Sequence, residues 1–188
     1  MNPNMNNLLF DYKKDDDLSL TLPIECREIL LNGDIDNKLA IFNGFWTVEE
    51  CKESPKSLFV FGDNDDKKGA GGQAIIRYCK NSIGIPTKKH PNNNVSSFYT
   101  DDTYYDNCFK IYFAISKLII ASTKFDEIVF PEDGFGTGLA KLPEKAPKTL
   151  AYLDKMIEDV FGIEYESIRK NGLQIGFNLP DDEASFKK

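Results

Sequence analysis

A strand that breaks into glycines and restarts as a helix is the most restrictive feature of this sequence. It lies in residues 57–88, SLFVFGDNDDKKGAGGQAIIRYCKNSIGIPTK. Leu58-Phe59-Val60-Phe61 is a short apolar run bounded by Gly62, the pattern of a buried strand. A polar turn follows, then Gly69-Ala70-Gly71-Gly72. Helical spacing of Ile75, Ile76, Tyr78 and Cys79 predicts a helix over residues 73–80. Such a junction sets unpaired backbone N–H groups and a positive helix end beside one cleft, a setting that suits phosphate or another anion.

Gly69-x-Gly71-x-x-Ala74 also satisfies the dinucleotide-binding fingerprint G-x-G-x-x-G/A. Two details oppose an ordinary NAD(P) dehydrogenase. The connection from strand to glycines is long and charged where a tight turn is expected. The acidic ribose-binding residue expected about 20 residues on is missing, since Pro86-Thr87-Lys88-Lys89-His90 occupies that neighbourhood. The plainer alternative is that the glycines only shape a loop.

A second junction of the same kind decides how the first is read. Ile128-Val129-Phe130 gives a buried strand that runs through Pro131 into Asp133-Gly134-Phe135-Gly136-Thr137-Gly138-Leu139. A further strand is expected over residues 83–87, and helices over residues 103–121 and 146–161. The first helix takes Tyr105, Cys108, Phe109, Tyr112, Ile115 and Ile119 as its apolar face. The second takes Ala146, Leu150, Leu153, Ile157 and Val160. Strands alternating with helices make an α/β sheet covered by helices. Ligands of such sheets bind beyond the carboxyl ends of the strands. Both glycine loops follow a strand directly, so they are expected on one rim, facing one crevice.

The remaining chain sets the boundaries. Residues 1–17 are Asn-rich and then charged, and read as a flexible arm; residues 181–188 read as a frayed tail. Residues 18–180 form one domain, an N-terminal addition over 18–56 and a core over 57–180. In the addition, Leu18-Ser19-Leu20-Thr21-Leu22 alternates like a half-buried strand, and residues 24–31 read as a short helix. Asn43-Gly44 between two apolar runs signals a β-hairpin, so this third is expected to add antiparallel strands. Residues 90–102 form a long loop, and residues 173–177 a last strand.

Charge and cysteine content narrow the function. The net charge of −7 opposes non-specific binding to a nucleic-acid backbone. No apolar run is as long as a membrane span, and the start has no signal-peptide pattern. Four scattered cysteines, without a C-x-x-C pair, and one histidine argue against zinc and for a reduced, cytoplasmic setting. His90 has no visible nucleophile partner, and Cys79 and Cys108 sit on apolar faces.

In these motifs the chain resembles the macrodomain-like proteins, which bind or hydrolyse ADP-ribose and its derivatives. The resemblance rests on Phe59-Val60-Phe61, then Asn64, then Gly69-Ala70-Gly71-Gly72-Gln73-Ala74, and on Phe130-Pro131 followed by Gly134-Phe135-Gly136-Thr137-Gly138. It spans about residues 57–155. The chain is also similar to a small group of viral and bacterial proteins carrying GDN…GxGGQA, GIPTK and DGxGTGLAKL. Asp63 before the asparagine and Asp133 in the second loop depart from the macrodomain pattern.

The resemblance implies a three-layer mixed sheet flanked by helices, with a small N-terminal extension. It implies a ligand site for an NAD-derived nucleotide between the two loops, formed by Asn64, Gly69, Gly71, Gly72, Gln73, Lys88, Gly134, Phe135, Gly136, Thr137 and Gly138. Asp63 and Asp133 are the acids nearest that crevice. Two carboxylates converging there would raise one pKa and make a general base for hydrolysis of an ADP-ribosyl linkage. No metal or cofactor is expected. The expected partner is a small nucleotide rather than nucleic acid or membrane. Two rivals stay open: a module that sequesters the nucleotide without turnover, and a virion or scaffold protein that keeps the fold without a ligand.

Overall fold

The computed structural model describes residues 21–33 and 35–172. The expected arm, most of the strand at residues 18–22, the strand at 173–177 and the tail lie outside the described residues. Four strands form the sheet: β1 (Leu39–Phe42), β2 (Ser57–Asn64), β3 (Ser82–Lys88) and β4 (Glu127–Pro131). Their order is β1-β4-β2-β3, and every pairing is parallel. The fold class is therefore α/β, and the described strands are all parallel rather than mixed. An isolated antiparallel bridge joins Lys88 to Phe98.

Period-two alternation sends neighbouring residues to opposite faces. Leu58 and Val60 of β2, Ile128 and Phe130 of β4 and Ile41 of β1 join the larger core. That core is completed by α1 (Ile24–Leu31), α3 (Tyr104–Ser122) and α5 (Pro147–Phe161). Phe59, Phe61, Val129 and Ala40 face the other way. They pack on Trp46, on Cys51 of α2 (Val48–Glu53), and on Ala74 and Ile76 of a 3-10 turn at Gly72–Ile76. Burying a side chain such as Leu153 or Ile157 contributes about 1.5–3 kcal/mol. Two short helices finish the described chain, α4 (Leu142–Lys145) and α6 (Tyr165–Asn171).

Several expectations are corrected. The hairpin at Asn43-Gly44 does not form. Its second arm does not pair, and at Thr47 the chain enters α2, because Thr47 and Glu50 make a capping box: the Glu50 N–H donates to Thr47 Oγ1 at 3.1 Å and the Thr47 N–H to Glu50 Oε2 at 2.8 Å. β1 is instead a parallel strand at the end of the described sheet beside β4, so among the described residues the N-terminal third adds no antiparallel strand. The helix expected over 73–80 shortens to the 3-10 turn. The third helix forms, but its buried stripe is Tyr104, Cys108, Ile111, Ile115 and Leu118-Ile119. Tyr105 and Phe109 stay exposed, so the face is rotated from the one expected. α5 matches the helix expected over 146–161 closely, running from Pro147 to an αL cap at Gly162, whose N–H bonds Glu158 O at 2.7 Å.

Candidate functional site

β2 and β4 are neighbours whose continuations leave toward opposite faces. The chain after β2 enters the 3-10 turn on the Trp46 side. The chain after β4 goes to α5 in the larger core. In a parallel sheet this is a switch point, where a crevice opens beyond the strand ends. A cavity of about 450 Å³ lies there. Gly62, Gly71, Gly72 and Gln73 line it from β2, and Pro131, Glu132, Asp133, Gly136, Thr137, Gly138, Leu139 and Ala140 from β4. Its remaining wall, from the end of β1 through Asn43 and Gly44, is largely aromatic: Phe42, Phe45 and Trp46. Phe42 stacks on Trp46 at 4.9 Å between centroids, and Phe45 is 91% exposed.

Gln73 ties the two loops together. Its Oε1 accepts from the Gly62 N–H at 2.7 Å, and its Nε2 donates to Gly134 O at 2.9 Å. One side chain thus fixes the spacing of the crevice walls. Along those walls the amides are left over. Among the described residues, no hydrogen bond is formed by the N–H groups of residues 71–73 or of residues 136–140. The Gly136 carbonyl is committed to Leu142 N, and φ of +77° holds the loop in a left-handed bend. A Cβ at Gly136 would overlap the Leu142 side chain.

Lys88 lies behind the second loop. It is only 6% exposed and does not line the crevice. Its ammonium donates to Leu139 O and to Asn93 Oδ1, each at 3.2 Å, and sits 4.3 Å from the centre of the Phe98 ring. Burial, then the nearby Lys141 charge, lowers its pKa below the ordinary lysine value. In a trans peptide the C=O and the following N–H point in opposite directions. With the Leu139 carbonyl drawn back to Lys88, the Ala140 N–H turns away from it, and Ala140 is a crevice residue.

The sequence-expected residues divide accordingly. Gly71, Gly72, Gln73, Asp133, Gly136, Thr137 and Gly138 meet in the crevice. Asp63 does not: alternation along β2 puts it on the face of Phe59 and Phe61, where it pairs with Arg77. Those two side chains are 9% and 5% exposed. The expected convergence of Asp63 with Asp133 is therefore corrected, and Glu132 is the second carboxylate at the crevice. Asn64 is buried and closes its own turn, donating to Lys68 O at 2.8 Å and accepting from Lys68 N. Gly69 lies outside the crevice; its carbonyl accepts from Arg77 Nε at 2.9 Å. Gly134 backs onto Tyr165 and Arg169 of α6. Phe135 is fully buried between Phe130 and Tyr165 and is a core residue, not a lining one. The aromatic wall was missed because Asn43-Gly44-Phe45-Trp46 reads as a hairpin. The Thr47-x-x-Glu50 signal shows that a helix starts there.

Cys51 is pushed up to about 12 by burial and by neighbouring Cys79, so it is an inert core thiol. Among the described residues, no group of three or more His, Cys, Asp and Glu side chains is placed to hold a metal ion. No described helix is long and apolar enough to cross a membrane.

Residues 41–156 match the model of a family of unknown function, DUF7831. The chain belongs to that family. The DUF7831 region begins within β1 and ends within α5, so it takes in both glycine loops, Gln73, Lys88 and the aromatic wall. No curated protein and no solved structure matches the chain.

Proposed function

We propose that this DUF7831 protein binds an NAD-derived nucleotide such as ADP-ribose in the crevice, as a macrodomain-like module. The observation that carries the reading is the meeting of two amide-bearing glycine loops at the switch point between β2 and β4, buckled by Gln73. Backbone N–H groups free of internal partners suit a pyrophosphate, and glycine lets the ligand approach the main chain. Among the described residues no lysine or arginine lines the crevice, so amides and the buried Lys88 charge supply the positive potential. Glu132 and Asp133 suit ribose hydroxyls, and the aromatic wall offers an apolar face to the base.

Binding without turnover is the better-supported form. The proposed general base needed two converging carboxylates, and Asp63 is held by Arg77 on the other face. Any hydrolysis therefore rests on Asp133 alone or with Glu132. Titration calorimetry with ADP-ribose, NAD, AMP and inorganic phosphate tests the reading. Saturable heat with ADP-ribose, weakened by Gly72→Val or Gly138→Val, is expected. Silence from all four ligands at millimolar concentration sinks it. Turnover of an ADP-ribosylated substrate that Asp133→Ala abolishes, with binding kept, would replace the sequestering form by the hydrolase.

A further inference from the structure

On the far side of β2 from the crevice, β3 is the end strand of the described sheet. The Phe59 N–H bonds Asn81 O at 2.9 Å, and Phe59 registers with Ser82. In a parallel ladder this directs the backbone groups of Asn81, Ile83 and Ile85 to β2, and those of Ser82, Gly84 and Pro86 outward. Pro86 has no N–H to leave unpaired, as an edge position allows. A groove of about 700 Å³ runs over this edge, with Ser82, Gly84 and Pro86 in its lining. Tyr78, 78% exposed, and Phe113, 58% exposed, line it as well.

The charges in the groove are unevenly matched. Asp63 is paired with Arg77. Asp65 accepts from Lys110 Nζ at 2.9 Å and from Tyr99 OH at 2.5 Å. Lys67 and Lys117 also line the groove, and neither makes an ion pair among the described residues. The acids are used up and two cations remain, in a chain whose net charge is −7.

We propose that an extended acidic segment of a partner protein adds to the edge of β3 in this groove. Its backbone pairs with the outward N–H and C=O groups of Ser82 and Gly84. Its acidic side chains meet Lys67 and Lys117, and its apolar ones meet Tyr78 and Phe113. A free strand edge presents donors and acceptors at peptide spacing, which a nucleic-acid backbone does not match. A second copy of this chain would bring the same lysines to the contact, and like charges at an edge discourage pairing. The Lys88–Phe98 bridge closes the far end, so the added strand is short.

The test uses the full chain and fluorescence anisotropy. The probes are a labelled peptide of alternating valine and glutamate, its valine–lysine counterpart, and a short oligothymidylate. The acidic peptide is expected to bind at least about tenfold more tightly than the basic one. Lys67→Glu with Lys117→Glu should remove that preference, and hydrogen exchange at the Gly84 amide should slow when the acidic peptide is added. Equal binding of the two peptides, no binding, or preference for the oligonucleotide overturns the proposal. So does a Gly84 amide already protected in the free protein, which would mean that the chain itself, for example through Asp15-Asp16-Asp17, fills the edge.

Discussion

Replacing Lys88 by methionine isolates what a charge hidden behind a binding loop does. The substitution keeps most of the stem and removes the ammonium that holds Leu139 O and Asn93 Oδ1. Both of those groups belong to exposed residues, so water takes over the lost contacts and the fold is expected to lose only about 1 kcal/mol. Binding should suffer more. If Lys88 aims the Ala140 N–H at a bound phosphate, freeing that peptide forfeits one hydrogen bond to a charged group, about 1.5–3 kcal/mol. At 1.4 kcal/mol per decade this raises the ADP-ribose Kd by about 10–140-fold. Calorimetry at fixed ionic strength measures the Kd, and a thermal melt confirms that the variant is folded. A pH series gives a second readout. The lowered pKa means Lys88 loses its proton before ordinary lysines do, so wild-type affinity should decline early on the alkaline side. The methionine variant should lack that decline. A folded variant with unchanged Kd would refute the idea that Lys88 sets the loop's amides.

The other outcomes follow from single contacts. Gln73→Leu strands the Gly62 N–H and Gly134 O, and should cost about 2–4 kcal/mol in urea unfolding while abolishing nucleotide binding. Gly136→Ala combines a positive φ with overlap on Leu142, so it should destabilise by about 2–4 kcal/mol. Gly138→Ala, with nothing near its Cβ, should leave the midpoint unchanged. Arg77→Met leaves Asp63 buried and unpaired, for a loss of about 3–5 kcal/mol that Asp63→Asn should partly restore in the double variant. Burial raises the Asp154 pKa above its unfolded value despite the opposing Arg169. Its contribution to stability is therefore fully present below the unfolded pKa and lost as the pH rises through the raised one. Relative to Asp154→Asn, the wild type should gain stability as the pH falls through that window, as read by denaturant melts.

The sequence carried the strands and loops better than it carried the directions of side chains. β2, β3 and β4 are legible because each is a short apolar run ended by glycine or proline, and the shared rim follows once two such strands feed glycine loops. Asp63 was misplaced because the polar turn hid how far β2 extends. The strand continues through Asn64, and simple alternation from Phe59 and Phe61 then turns Asp63 away from the crevice. β1 was mispaired for a different reason. Asn43-Gly44 is a strong local signal, whereas the partner that β1 takes lies far along the chain and leaves no mark near it. Lys88 could not be placed from sequence either, since nothing local shows that Leu139 will lie over it.

The place of β1 also bears on the order in which the molecule can assemble. Leu39 registers with Ile128, and among the described strands β1 touches β4 alone. Roughly ninety residues separate the two. At about 5–20 residues per second, a ribosome needs on the order of 5–20 s to deliver the second after the first. During synthesis the β2–β3 pair can close early, while Leu39–Phe42 waits with its apolar side chains uncovered. That interval is when a nascent chain of this kind is most exposed to aggregation or to capture by a chaperone.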